Sequence, residues 1–138
     1  MNRYDPVRGT FKRYLHDPEN PNSISVNFVY NAIHEDSEGH LWIGTYGGGL
    51  NMLDPSTGVF TRFINDSEDP TTISDNIVFS IYVDEAGRFW IGTNNGLNMF
   101  YPATGSFRRF GIEEGLALDV IYGALHGKSA HIRLSTTR

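Results

Sequence analysis

The sequence predicts an all-β fold made of repeated four-stranded antiparallel sheets, and an internal repeat is the main reason. The segment His40-Leu41-Trp42-Ile43-Gly44-Thr45 returns almost unchanged as Arg88-Phe89-Trp90-Ile91-Gly92-Thr93. Each copy follows an Asp and a Gly at the same spacing, and each precedes a Gly and the tripeptide Leu-Asn-Met. The apolar runs between these landmarks are short and rich in β-branched and aromatic residues, which is typical of strands.

Composition limits the classes of protein and partner. The chain has 138 residues, a net charge of -5 and no Cys, so it can bury a core but has neither disulfides nor thiolate zinc sites. An acidic chain without a basic patch is not expected to bind nucleic acid. No apolar run approaches the length that spans a bilayer, and residues 1–6 do not form a signal peptide, so we expect no membrane contact by this segment.

Each repeat begins with a strand that is apolar on both faces, as in Ile77–Val83. An Asp-to-Gly tetrapeptide follows, with the residue preferences of a type I turn, at 36–39 and 84–87. In the Trp strand, alternation puts Trp42 and Gly44 on one face, and a Gly at this place suggests close packing against a neighbour. The first repeat has one extra residue before its Asp turn, which predicts a β-bulge near Asn31 and Ala32.

The second half of each repeat contains a Gly turn, a third strand, a Pro turn and a fourth strand. Asp54–Gly58 has the residues of a tight turn, because Pro presets one φ angle and Gly accepts a positive one. The fourth strand, as in Phe60–Phe63, carries basic residues that suit a sheet edge. Polar loops at 15–25 and 64–74 then lead to the next repeat.

Four antiparallel strands in a repeat of this length make one blade of a β-propeller. We expect a half blade at 1–23, whole blades at 24–72 and 73–114, and a half blade at 115–138. This amounts to about three blades, whereas propellers usually close with four to eight. The sequence therefore predicts an incomplete ring that packs against other propeller blades or against copies of itself.

The last half blade departs from the repeat. It starts as expected with Ile121 and Tyr122, but other residues stand where the Asp, Gly, Trp and Gly belong. They are Gly127, Ala130, Arg133 and Ser135. Losing a buried Trp typically costs about 3 to 5 kcal/mol, so residues 127–138 are expected to be the weakest part of the fold.

With these residues in view, the chain resembles the two-component regulator propeller repeats. The resemblance rests on Val78, Ile81, Asp84, Gly87 and the segments Trp90–Thr93 and Gly96–Leu97, with their first-repeat counterparts. It implies a sensor region outside the cytoplasm, in the periplasm, of a bacterial hybrid two-component system. It also implies a non-enzymatic module that recognises glycans. Two alternatives stay open: a structural or self-assembly module, and an enzyme such as a lyase or hydrolase built on a propeller.

Several motifs have both a chemical and a structural interpretation. Gly47-Gly48-Gly49 lacks the Gly-Lys-Ser/Thr of a phosphate loop and favours a hairpin turn. The acidic loops around Asp17 and Asp66 could supply calcium ligands, yet they lack the EF-hand spacing and contain Pro. Neither His34 nor His40 is a histidine in the second repeat, where Arg88 replaces His40, which argues against a metal site.

Two further motifs are weak. Asp119, His131 and Ser135 have no spacing that would mark a catalytic triad, and Asn65-Asp66-Ser67 fits a glycosylation acceptor by composition alone. The sequence therefore predicts no catalytic residue, no cofactor site and no metal site. Asp36 and Asp84 are interpreted as structural turn residues.

Aromatic residues are the candidates for contact with a sugar ring. For Trp42 and Trp90, packing between blades is the favoured interpretation, because both belong to the repeat and binding sites usually do not repeat. Tyr30, Tyr46 and Tyr82 are the remaining candidates, and Tyr46 stands beside a turn.

Overall fold

The computed structural model describes residues 1–117, 121–126 and 132–135. The strands within these residues are β1 (Asn2–Asp5), β2 (Thr10–Arg13), β3 (Val29–Glu35), β4 (Leu41–Thr45), β5 (Leu50–Leu53), β6 (Phe60–Phe63), β7 (Val78–Val83), β8 (Phe89–Thr93), β9 (Gly96–Tyr101), β10 (Ser106–Phe110), β11 (Gly123–His126) and β12 (Ile132–Ser135). A single turn of 3-10 helix, Ile112–Glu114, follows β10.

The strands form separate antiparallel sheets in chain order. Strands β3 to β6 make one four-stranded sheet and β7 to β10 make another. The hairpins β1-β2 and β11-β12 are two-stranded sheets on either side in the sequence. Each sheet lies inside one of the segments expected from the repeat, and the all-β class of blade-like sheets is confirmed.

A bulge interrupts the first strand of both blades. In the first blade the register shifts between Val29 and Ile33, which confirms the bulge predicted near Ala32. The second blade also has a shift, between Val78 and Ser80, which the sequence comparison did not predict. The extra residue of the first blade therefore enlarges an irregularity that both blades share.

The Trp strand packs one blade on the next. A Cβ placed on Gly44 would lie 2.7 Å from both Ala32 Cβ and Val78 Cγ1, so the two sheets meet there in close contact. Trp42 is only 4% exposed and belongs to the same cluster, together with Phe89 of the second blade. The assignment of Trp42 and Gly44 to one packed face is confirmed.

The opposite face of the first blade forms a second apolar cluster with the hairpin β1-β2. Ile43 and Leu53 are fully buried there, beside Tyr14 and Phe60. The rings of Tyr14 and Phe60 meet edge to face at 5.6 Å between centroids. Side chains thus alternate along the strand between the two neighbouring sheets.

The Gly segment 47–49 joins β4 to β5 as a hairpin turn, as expected. The amides of Gly47 and Gly49 donate to the carbonyl of Asn76, at 3.0 and 2.8 Å. Gly49 has a φ of 70°, and a Cβ there would run into the backbone carbonyl of Phe63. The bonds to Asn76 join this turn to the segment that leads into the second blade, and the close approach to the Phe63 backbone within the same sheet explains the glycine at 49.

The edge position predicted for the basic strands is confirmed, since β6 and β10 end their sheets. Their arginines have a further role. Arg62 Nε donates to the carbonyl of Ser23 at 2.9 Å, and Arg109 Nε donates to the carbonyl of Thr72 at 2.8 Å. Each guanidinium therefore fastens the polar loop that precedes its own blade to the outer edge of that blade.

The last hairpin keeps part of the repeat. Strand β12 pairs with β11 in the register Gly123 to Ser135, so Arg133 and Ser135 take the register positions of Trp90 and Gly92. Ile121 is fully buried against Gly92. The expectation of a weak end concerns mainly residues 127–131 and 136–138, which lie outside the described residues.

Candidate functional site

The Asp turn and the Trp strand are tied together by the same hydrogen bonds in both blades. The indole Nε1 of Trp42 donates to Asp36 Oδ2 at 2.9 Å, and Trp90 donates to Asp84 Oδ2 at 2.9 Å. The other oxygen of Asp36 accepts the backbone amides of Glu38 and His40, each at 2.9 Å. These bonds agree with a structural role for both aspartates.

Both aspartates are charged at neutral pH. Burial raises the pKa of Asp84, but bonds from the Trp90 indole and from the amide and guanidinium of Arg88 outweigh it and lower the pKa to about 2. The pKa of Asp36 is also lowered, because the Trp42 indole and the turn amides outweigh the effect of burial. The turn therefore presents a fixed negative charge beside each Trp.

The two hydrogen-bonded pairs differ in the side chain that faces the carboxylate. Arg88 Nε lies 2.6 Å from Asp84 Oδ2, and the guanidinium lies over the Trp90 ring, 5.6 Å from its centroid. In the first blade His40 Nδ1 lies 3.3 Å from Asp36 Oδ2. The second candidate histidine, His34, packs edge to face on Phe89 at 5.7 Å. Among the described residues, no group of three or more His, Asp or Glu side chains has the arrangement of a metal site.

A cleft opens beside the hydrogen-bonded pair Asp36 and Trp42 of the first blade. Its volume is about 480 Å³, and its lining comes from the Asp turn and from the outer parts of both blades. Asp36, Glu38 and His40 form its polar wall, while Phe89 and Phe100 belong to the apolar one. The sequence did not predict this cleft, because its walls come from strands of different sheets.

Buried asparagines form a second repeated tie that sequence reasoning missed. Asn51 and Asn98 are fully buried. Each side-chain oxygen accepts the amide of a loop serine, Ser25 or Ser74, at 2.9 Å, and each amide nitrogen donates to that serine's hydroxyl at 2.8 Å. The signal was present as the Asn of both Leu-Asn-Met tripeptides and the Ile-Ser pair of both loops.

At the opposite end of β3 and β4, five aromatic side chains form a surface that we name the aromatic ridge. It consists of Phe28, Tyr30, Tyr46, Phe79 and Tyr122. The ring centroids of Phe28 and Tyr46 are 5.5 Å apart, those of Tyr30 and Phe79 5.4 Å, and those of Phe79 and Tyr122 4.5 Å. A bridge between Tyr46 and Ile77 links the two groups.

Most side chains of the aromatic ridge are exposed to solvent. Phe28 is 61% exposed, Tyr46 51%, Tyr122 40% and Tyr30 38%, whereas Phe79 is nearly buried between its neighbours. Of the aromatic candidates from the sequence, Tyr30 and Tyr46 therefore belong to this surface. Trp42 is in the core, and Trp90 and Tyr82 are partly buried elsewhere.

The remaining sequence candidates are engaged in local structure. Loop carbonyls of Asp69 and Thr72 accept hydrogen bonds from Arg109, so a guanidinium occupies the acidic loop considered for calcium. Asn65 Nδ2 donates to the carbonyl of Ile73 at 2.7 Å, a bond that would compete with modification. Asp119 and His131 lie outside the described residues.

Stacked four-stranded antiparallel sheets, repeated with the same ties, define this chain as a segment of a β-propeller. The family model for the two component regulator propeller matches residues 23–47 and 72–95. Both segments match this family model, and the resemblance found in the sequence is confirmed. Among the curated proteins, none matches the chain.

Solved structures with the same fold come from B. thetaiotaomicron. The extracellular domain of the hybrid two component system BT3049 superposes with a TM-score of 0.81 at 21% identity, covering 91% of this chain and 18% of that one. The extracellular domain of the hybrid two component system BT4673 gives a TM-score of 0.69 at 25% identity, covering 96% and 17%. The chain thus spans less than a fifth of these domains.

The described residues contain no helix long and apolar enough to cross a membrane.

Proposed function

We propose that this chain is a non-enzymatic sensor module from the extracytoplasmic, periplasmic part of a bacterial two-component signalling protein. The observation that carries the proposal is the combination of two matched repeats with the superposition on the extracellular domain of a hybrid two component system. Blades fixed by repeated ties provide a rigid support on which exposed side chains can recognise a ligand. No catalytic residue is assigned to any of the ties.

The cellular location has a direct test. Fusing alkaline phosphatase behind this segment in the full protein should give active phosphatase, because that enzyme needs an oxidising compartment for its disulfides. A cytoplasmic reporter fused at the same point should be inactive. The reverse pattern would contradict the proposed location.

A carbohydrate is the proposed ligand, and the aromatic ridge is the proposed contact surface. Exposed aromatic rings offer flat apolar faces, against which the C-H face of a sugar ring can pack, while Tyr hydroxyls can bond sugar hydroxyls. Tyr30, Tyr46 and Tyr122 combine both properties and are partly or largely exposed. Trp42 is excluded from stacking on a sugar, since it is buried by its own blade interface.

Calorimetric titration with a panel of oligosaccharides tests this ligand class. Replacing Tyr46 by Ala should weaken binding of an active sugar about three- to tenfold, the equivalent of one lost aromatic contact of roughly 0.5 to 1.5 kcal/mol. Tyr101→Ala is the matched control, because Tyr101 is 41% exposed but lies outside the ridge. No binding by any glycan, or equal losses in the two variants, would refute the carbohydrate proposal.

The structural or assembly role is the second candidate, and one surface favours it. Tyr4 and Phe11 of the hairpin β1-β2 are 54% and 70% exposed, whereas their repeat equivalents Phe100 and Phe107 are 2% and 5% exposed. The proposed occupant of this face is another propeller blade, from the same protein or from a copy of this chain. Light scattering should show association that Phe11→Asp abolishes; a monomer at all concentrations would contradict association between copies.

A further inference from the structure

The cleft beside the first Asp turn has the composition of a site for an organic cation. Asp36 and Glu38 supply carboxylates, with side chains that are 16% and 78% exposed. The apolar lining that remains partly exposed consists of Met52, Phe63 and Pro102. Among the described lining residues there is no Lys or Arg, so His40 is the one side chain that can carry a positive charge.

The second blade shows which chemical group fits beside this Asp and Trp pair. There the chain's own Arg88 places a guanidinium against the Asp84 carboxylate and over the Trp90 ring. A cation next to a partly desolvated carboxylate and an aromatic ring is held by both ionic and cation-π attraction. His40 stands at the equivalent place in the first blade, and its shorter side chain leaves the cleft open.

We propose that the cleft between the first and second blades binds a small organic cation, in which an amidinium, guanidinium or ammonium group is attached to a flat apolar body. The charged group lies at the acidic wall of Asp36 and Glu38. The apolar body packs on the partly exposed lining residues Met52, Phe63 and Pro102. The cleft's volume of about 480 Å³ is in the range of small-molecule pockets.

This site is separate from the aromatic ridge, because the cleft and the ridge lie at opposite ends of β3 and β4. Its ligand also differs in class from the proposed carbohydrate. A module that held both would respond to two unrelated molecules. Failure of the cation test would leave the carbohydrate proposal untouched, and the reverse also holds.

The chain has two Trp residues, so the indole signal beside the cleft can be compared with a second indole signal in the same spectrum. In an NMR titration with benzamidine, the Trp42 indole signal should shift and saturate with a roughly millimolar dissociation constant, as expected for a ligand of about nine heavy atoms. The Trp90 signal, identified from Trp90→Phe, should stay in place. Benzamide, which has nearly the same shape without the charge, should cause no saturable shift.

Two variants test where the cation binds. Glu38→Gln should weaken benzamidine binding about two- to fivefold, the effect of one solvent-exposed ionic contact. His40→Arg should abolish saturable binding, because it supplies the guanidinium that the second blade already carries. Arginine is the native residue at the equivalent position 88, so His40→Arg should keep the spectrum of the folded protein. If His40→Arg unfolds, the effect of Glu38→Gln on benzamidine binding is the test, and unchanged binding in that variant would contradict the proposal.

Four further results would overturn the proposal. They are no saturable shift with benzamidine, an equal response to benzamide, an equal shift of the Trp90 signal, and unchanged binding in a folded His40→Arg variant.

Discussion

Replacing Gly44 by Ala is the most informative perturbation of the blade interface. The added methyl carbon would lie 2.7 Å from Ala32 Cβ and 2.7 Å from Val78 Cγ1, whereas carbon atoms in favourable contact are about 3.5 to 4.0 Å apart. Val78 is fully buried in the neighbouring blade and cannot turn away into solvent. Overpacking of this kind typically costs about 1 to 3 kcal/mol.

Urea unfolding followed by Trp fluorescence measures this cost. A loss of about 2 kcal/mol with a denaturant slope of about 2 kcal/mol per molar lowers the urea midpoint by about 1 M. Trp42 lies in the affected interface, so its emission reports on the same contact.

A double-mutant cycle separates the interface from a general effect of the substitution. Val78→Ala removes the methyl group that the new carbon meets, so the loss in Gly44→Ala/Val78→Ala should be smaller than the sum of the two single losses by about 0.5 kcal/mol or more. Strict additivity, or a loss below about 0.5 kcal/mol for Gly44→Ala alone, would refute the close packing inferred at this glycine.

Three other predictions concern the repeated ties. The pKa of Asp84 is lowered to about 2 in the folded protein from an ordinary 3.8, so its carboxylate stabilises the fold above pH 4 and this stabilisation is lost as the pH falls from 4 to 2. The urea midpoint of Asp84→Asn should therefore fall less over that range than that of the unaltered protein. An equal fall would contradict the bond to Trp90. Asn98→Ala leaves a buried loop amide without its acceptor and should cost about 1 to 3 kcal/mol in urea unfolding; no measurable loss would contradict the tie. Arg109→Lys should speed hydrogen exchange in the loop at 66–73 about three- to tenfold, because the guanidinium donates to the loop carbonyls. The exposed control Arg108→Lys should leave the exchange rate unchanged. Equal effects of the two variants would show that the loop does not depend on the Arg109 guanidinium.

The repeat in the sequence was enough to predict the strand order, the turns and the packed face of the Trp strand. The bulge between Val78 and Ser80 could not be predicted in this way. Both copies of the repeat contain a bulge at this place, so comparing their lengths does not reveal it. The edge position of Arg62 and Arg109 followed from the pattern. Their loop partners did not, since these lie far along the chain and depend on tertiary contacts.

The candidate binding surfaces were harder to predict from the sequence than the fold. An aromatic residue follows a β-branched aliphatic one at Tyr30, Phe79 and Tyr122, a recurrence that could have indicated the ridge. Its grouping with Tyr46 depends on strand pairing between blades. The exchange of His40 for Arg88 indicated in the sequence that the repeat does not require histidine, and in the structure the two side chains face the equivalent carboxylates of Asp36 and Asp84.

The central claim is that the Trp strand of each blade lies directly against the first strand of the next. Nuclear Overhauser effects from the Hα protons of Gly44 and Gly92 test it most directly. We expect strong cross-peaks from Gly44 to the Val78 methyl groups and from Gly92 to those of Ile121, because these groups are in contact across the sheets. If both cross-peaks are absent in a folded, assigned spectrum, the blades do not stack through this strand.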